Sequence, residues 1–148
     1  MANIVFNVAL GRVAALAALP AANDALIAVP LEATGLVTDA TMRDYDDLAT
    51  LLAGASNEQT SMGRKTLTGV TVTVDDTNDR VAIDCADITW TAATGNVVGA
   101  VVICYDPDTT TGTDADLVPL TKHDVTLTPD GNNFTLSVAD FYRATSTA

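Results

Sequence analysis

The sequence is poor in the residues on which most active sites and metal centres depend. Its 148 residues include one histidine, two cysteines, three phenylalanines, three tyrosines and one tryptophan. Lysine and arginine together number seven against 19 acidic residues, which gives a formal net charge of −12. Because a surface this acidic repels nucleic-acid phosphates and anionic membranes, we expect neither as a partner. The composition predicts a protein that is not an enzyme and needs no cofactor.

Signals for export and for disulfide bonding are also scarce. The first residues lack the basic segment of a secretory signal, and the apolar run 13–19 is too short to cross a bilayer. Cys85 and Cys104 have a spacing that matches no metal-binding or redox motif. We therefore expect synthesis in a cytoplasm and two buried free thiols. A disulfide is the alternative if segments 81–91 and 97–105 pair as a hairpin.

The acidic residues are strongly biased towards aspartate. Seventeen of them are Asp and only two are Glu, and threonine is abundant after residue 60. Aspartate favours turns, whereas the β-branched threonine favours strands. The bias predicts a β-rich protein whose acid lies mainly in the turns between strands.

The residue pattern in the first third of the chain predicts a helix, a strand and a second helix. Apolar residues at helical spacing predict the first helix over 3–19, where Pro20 ends it. The strand 25–29 is expected to end at Pro30 or to lie at a sheet edge. Thr38 or Asp39 begins the second helix and Gly54 ends it. Its apolar stripe consists of Met42, Tyr45, Leu48 and Leu52.

Beyond the polar segment 55–63 the apolar period changes to two. Val70, Val72 and Val74 predict a strand with one buried face, and 97–105 is apolar on both faces, as in a central strand. Segments 123–127 and 134–138 predict a hairpin. We expect a single domain over 1–148 of the α+β class, mainly β. An antiparallel β-sandwich or small barrel spans 64–148, and 1–63 forms an N-terminal helix–strand–helix arm segment.

One loop has the composition of a cation site. Asp106, Asp108, Asp114 and Asp116 alternate with hydroxyl residues, and such oxygens are calcium ligands. The glycine position differs from that of an EF-hand and no glutamate closes the loop, so the sequence favours a solvated turn over a metal site.

His123 and Asp124 are the one adjacent pair of a base and a carboxylate. Neighbouring residues of a strand point to opposite faces, so the two cannot act together. His123 has the parity of Val125 and Leu127, which predicts a partly buried structural histidine.

Short blocks across the chain resemble a family of small virion proteins of tailed bacteriophages, especially those that infect actinobacteria. The blocks are Val5-Phe6-Asn7, Gly11-Arg12-Val13, Asp44-Tyr45-Asp46-Asp47-Leu48, Arg64-Lys65-Thr66-Leu67, Asp75-Asp76-Thr77-Asn78-Asp79-Arg80, Cys104-Tyr105-Asp106-Pro107-Asp108-Thr109-Thr110, Pro119-Leu120-Thr121, His123-Asp124, Thr128-Pro129-Asp130-Gly131 and Phe141-Tyr142-Arg143-Ala144. The Ala-rich first segment departs from the family, since Phe6 and Arg12 are the only aromatic and basic residues between positions 3 and 19.

The resemblance implies a part of the virion, in the head or in the tail. The leading hypothesis is a decoration protein on the exterior of the particle, which binds the major capsid protein and copies of itself as a trimer or another lattice-matched oligomer. The alternative is a minor tail or tail-fibre-associated protein that contacts the host surface or other tail proteins. Trp90, Tyr105 and Tyr142 are the aromatic residues that a glycan site would use.

The low charge of segment 4–29 predicts that the N-terminal segment contacts the partner. We expect residues 1–22 to be separable from a β-domain that folds without them. The predicted interface residues are Ile4, Val5, Phe6, Val8, Leu10, Val13 and Leu16.

Overall fold

A computed structural model describes residues 2–54 and 56–146. In this structure the described chain is mainly β, which confirms the predicted class. The strands are β1 (Ile4–Val5), β2 (Ala25–Glu32), β3 (Lys65–Thr66), β4 (Thr71–Asp75), β5 (Arg80–Asp84), β6 (Ile88–Trp90), β7 (Val98–Asp106), β8 (Val118–Leu127), β9 (Phe134–Leu136) and β10 (Tyr142–Thr145). The helices are a 3-10 turn (Asn7–Ala9), α1 (Val13–Ala17), α2 (Asp39–Met42) and α3 (Leu48–Ala53).

The strands form three antiparallel sheets. The largest has the order β1-β8-β7-β2-β3, and the others have the orders β10-β5-β4 and β6-β9. The sheets do not close into a barrel in the part of the chain described. Since β1 and β2 lie in the same sheet as β7 and β8, residues before and after the polar segment 55–63 share one core.

The five-stranded sheet separates two apolar clusters. Along β7, Val101 and Ile103 face one cluster, whereas Val102 and Cys104 face the other. The first cluster is covered by α1 and the two smaller sheets, and the second by α2 and α3. Alternate side chains of a strand point to opposite faces, so a strand that is apolar throughout belongs between two layers. The predicted central strand 97–105 is therefore confirmed as β7.

Several predicted elements differ from the structure. The helix predicted over 3–19 is divided into β1, the 3-10 turn and α1, and Gly11 between them has a positive φ of 73°. The second predicted helix is divided into α2 and α3, because the side chain of Asp47 accepts a hydrogen bond from Thr50 N and starts a new helix. Met42, Leu48 and Leu51 are buried on these helices, while Leu52 is half-buried.

The strand around Pro30 does not end there and is not at an edge. β2 continues to Glu32 and lies between β7 and β3. The carbonyl of Pro30 accepts a hydrogen bond from Gln59 N, so the side of Pro30 that lacks an N–H faces the segment at 57–59 and not β7.

The predicted hairpin of segments 123–127 and 134–138 is wrong, and the pairing of 81–91 with 97–105 that the alternative disulfide required is not formed. β8 pairs with β7 and β1, and β9 pairs with β6, so the strands around the turn at 129–132 belong to different sheets. β5 pairs with β4 and β10, which separates it from β7.

Candidate interaction surface

The four aspartates of the acidic loop hold the loop together through separate contacts. The carboxylate of Asp108 accepts bonds from the backbone and hydroxyl groups of Thr110 and Thr111, and that of Asp116 accepts from Thr113. Asp106 Oδ1 accepts from Asp108 N over 3.0 Å. The hydroxyl bonds to Asp108 hold the pKa of its carboxyl well below its usual range. These are the contacts of a self-capped turn.

Asp114, the fourth of these residues, is bonded to a cation. Arg64 Nη1 and Nη2 contact the two carboxylate oxygens of Asp114 at 2.6 and 3.0 Å, and the same guanidinium binds Glu58. These two partners raise the pKa of Arg64, Glu58 having the larger effect. Over residues 2–54 and 56–146, no group of three or more side chains of metal-binding type comes together.

His123 lies in an apolar cleft of about 230 Å³, half-buried as predicted. Its ring contacts Phe141 edge-on, and Thr121 Oγ1 lies 2.9 Å from Nε2. Burial and the neighbouring Lys122 lower its pKa, so the imidazole is neutral at pH 7. Asp124 lies beside Lys122 and not beside the imidazole of His123, with Lys122 Nζ 2.6 Å from its Oδ1.

Cys85 lines the same cleft, together with the carboxylates of Asp124 and Asp140. Desolvation raises the pKa of its thiol to about 11, so the nucleophilic thiolate is scarce at neutral pH. Cys85 and Cys104 are free and buried, in different apolar clusters on opposite sides of the large sheet. The prediction of two free thiols is confirmed.

The aromatic residues of the alternative hypothesis are placed differently. Trp90 is 1% exposed, stacks on Phe134 and donates a hydrogen bond from Nε1 to Gly63 O. Tyr105 is half-buried and donates its hydroxyl to Asp24, while Tyr142 is half-buried in β10. Trp90 is therefore a core residue and offers no face to a sugar.

The predicted N-terminal interface residues are divided between core and surface. Phe6, Val13 and Leu16 are buried in this chain's own apolar clusters. Ile4, Val5 and Val8 are half-buried. Leu10 is 61% exposed. The interface prediction thus keeps one fully accessible residue, while the three buried ones serve the fold and are not available to a partner.

An apolar surface surrounds α1. The residues concerned are the exposed ones between positions 10 and 22, here named the α1 surface: Leu10, Gly11, Arg12, Ala15, Ala18, Leu19, Ala21 and Ala22. Leu19 is 53% exposed. The first acid of the sequence is Asp24, so this surface carries one positive charge on a protein with a net charge of −12. Sequence reasoning passed over Leu19, although the acid-free start of the chain was a signal for it.

A second exposed apolar feature lies beside α1. Val72 and Val74 of β4 are 37% and 69% exposed, which corrects the prediction that this strand has a buried face. Val72 is paired with the buried Ile83 of β5, and α1 packs against both β4 and β5. Val72 and Val74 share a face of the sheet with Ile83, so the apolar edge of β4 extends beyond the part that α1 covers.

No family model, curated protein or solved structure matches the chain. Among the described residues, no helix has the length and apolar character needed to span a membrane.

Proposed function

We propose that this chain is a non-enzymatic structural protein of a tailed-bacteriophage virion, a decoration protein that binds the outside of the major capsid lattice. The observation that carries the proposal is the division of charge over the surface. The α1 surface has no acid, whereas the turns at 75–79 and 106–116 are largely exposed and contain seven aspartates. A protein of this kind can bind through an acid-free, largely apolar surface while its acid stays hydrated.

The charge also favours the exterior of the particle over the interior. A protein that lines the inside of a capsid faces packaged DNA, where a net charge of −12 is repelled. On the exterior the same charge keeps neighbouring particles apart and soluble. The sequence blocks that resemble virion proteins support this setting.

Stabilisation of the particle would follow from mass action. A protein that binds the mature shell and not its precursor adds its binding free energy to the mature state. Because the shell offers many equivalent sites, the free energies that the bound copies contribute to the mature state add up over the lattice.

The proposal is tested by binding the purified protein to mature shells that lack it. We expect Leu19→Glu to weaken binding at least about tenfold, which equals about 1.4 kcal/mol, because the charge must be desolvated in the contact. Val97→Glu is the matched control, since Val97 is 38% exposed and lies away from α1 in sequence. Equal binding by both variants would overturn the assignment of the α1 surface.

The number of copies per virion tests the class of protein. A decoration protein is present in hundreds of copies, and a tail-tip protein in only a few, so quantitative mass spectrometry of purified virions separates the two. A low copy number would reject decoration in favour of the minor tail hypothesis.

A further inference from the structure

β4 is an edge strand with one open side. Among the residues that the structure describes, it pairs with β5 alone, at the end of the sheet β10-β5-β4. Thr71, Val72, Thr73 and Val74 are all exposed. An edge of this kind presents a row of backbone N–H and C=O groups on which another strand can pair.

The sequence of β4 lacks the usual protection of an exposed edge. Natural edge strands are blunted by lysine, proline or a bulge, and the strand Thr71–Asp75 contains none of these in its pairing with β5. Its threonine and valine residues have high strand propensity. An unprotected, strand-forming, partly apolar edge on an otherwise charged protein indicates a surface that is covered in the assembled state.

We propose that β4 pairs antiparallel with β4 of a second copy, about a two-fold axis that passes between the Thr73 residues of the two copies. In this register Thr73 lies opposite Thr73 of the other copy, Val72 opposite Val74, and Thr71 opposite Asp75. The strand is self-complementary, because valine meets valine on one face, while on the other Thr73 meets Thr73 and each Asp75 meets a threonine. A shift by one residue would set valine opposite threonine on both faces.

The geometry of such a pair fixes the direction of the α1 surface. A two-fold axis that relates neighbouring antiparallel strands is perpendicular to their sheet, so a given face of the sheet is the same face in both copies. The two three-stranded sheets become one of six strands, and α1 of both copies lies on one side of it. This last consequence rests on the proposed function: the dimer turns two α1 surfaces towards one lattice, at a two-fold position.

Charge opposes the pairing at low ionic strength. Each copy carries a net charge of −12, and the turn that follows β4 contains Asp76 and Asp79. Added salt shortens the range of this repulsion, from about 10 Å at 0.1 M to about 3 Å at 1 M. The dimer is therefore expected to become stronger with salt, the opposite of an interface held by ion pairs.

The register is tested by cysteine cross-linking of the purified full chain, without particles. Thr73→Cys places two thiols opposite each other across the axis, within about 5.5 Å at Cβ, and is expected to form a disulfide-linked dimer on mild oxidation. Thr71→Cys is the matched control, because its two thiols lie four residues apart along the strand, about 13 Å. Cys85 and Cys104 are buried and stay out of the reaction.

Sedimentation equilibrium at low and high salt supplies the second measurement. We expect the wild type and Val97→Lys to dimerise more strongly in 1 M salt, and Val74→Lys to remain a monomer with an unchanged melting temperature. The proposal would be overturned if Thr73→Cys and Thr71→Cys cross-linked to the same extent, or if neither cross-linked. It would also be overturned if sedimentation showed a trimer. The result is independent of capsid binding, so its failure leaves the proposed function standing.

Discussion

At the residue scale, Lys122 shows how a charge is placed inside this protein. Its side chain is 0% exposed, and Nζ lies 2.7 Å from Asp39 Oδ1 and 2.6 Å from Asp124 Oδ1. Lys122 and the backbone N–H of Ala2 lower the pKa of Asp39. A buried cation needs such partners, and a single lysine in a strand sequence gives no sign of which distant carboxylates will supply them.

The lowered pKa of His123 predicts that the stability of the protein depends on pH. Its pKa is lowered in the folded state, first by burial and then by Lys122, while Asp124 opposes the shift. Since the unfolded chain then binds the proton more readily, stability is complete above about pH 6.5 and falls as the pH is lowered towards the folded pKa. We expect the free energy of unfolding to decrease between pH 7 and pH 5.5, by less than about 1.4 kcal/mol per pH unit.

The measurement is urea denaturation of the wild type and of His123→Phe at both pH values. The chain has a single histidine, so the variant removes the main group that titrates in this window, and its stability should change less with pH. Staying above pH 5 avoids protonation of the carboxylates with lowered pKa. An equal pH dependence in both proteins would show that His123 is not the cause.

At the element scale, the break between α2 and α3 depends on one side chain. α3 has six residues, and Asp47 accepts a hydrogen bond from Thr50 N over 2.7 Å at its start. Short helices are marginal without caps and packing. Asp47→Ala should lower the free energy of unfolding by about 1 kcal/mol, as measured by chemical denaturation. The exposed neighbour Asp46 is the control, and Asp46→Ala should change stability by less than about 0.5 kcal/mol.

The same residue explains where sequence reasoning failed on the helices. A stripe through Met42, Leu48 and Leu52 fits one long helix, but Asp47 can serve either as a helical residue or as a cap. Only the packing of Leu48 and Leu51 on the large sheet decides between the two.

The strands were predictable as elements but not as partners. β7 is recognisable because it is apolar on both faces, a property of the segment itself. Its pairing with β2 joins residues 66 to 81 positions apart, and no local pattern specifies that. The candidate surface was in part predictable for the same reason, because the low charge of the N-terminal segment can be read from that segment alone. The exposure of Val72 and Val74 could not be predicted in this way, since it depends on how far α1 extends over β4 and β5.

At the scale of the whole molecule, the N-terminal segment belongs to the folded core. β1 pairs with β8, and Phe6 N donates to Leu120 O over 3.1 Å. Phe6, Val13 and Leu16 are each at most 7% exposed. This pairing and burial argue against the expectation that residues 1–22 can be removed without loss of the β-domain.

Deletion of residues 1–22 should therefore abolish cooperative unfolding. Loss of one large buried side chain costs about 2–5 kcal/mol, and the deletion removes several from both apolar clusters, while a typical domain has only about 5–15 kcal/mol in total. Thermal unfolding followed by near-ultraviolet circular dichroism of the buried Trp90 measures the effect. Leu10→Ser is the control, because Leu10 is exposed and its loss should leave the melting temperature nearly unchanged. If the truncated chain still unfolds cooperatively near the wild-type temperature, the prediction is wrong. The large sheet and the two apolar clusters would then be stable without β1, the 3-10 turn and α1.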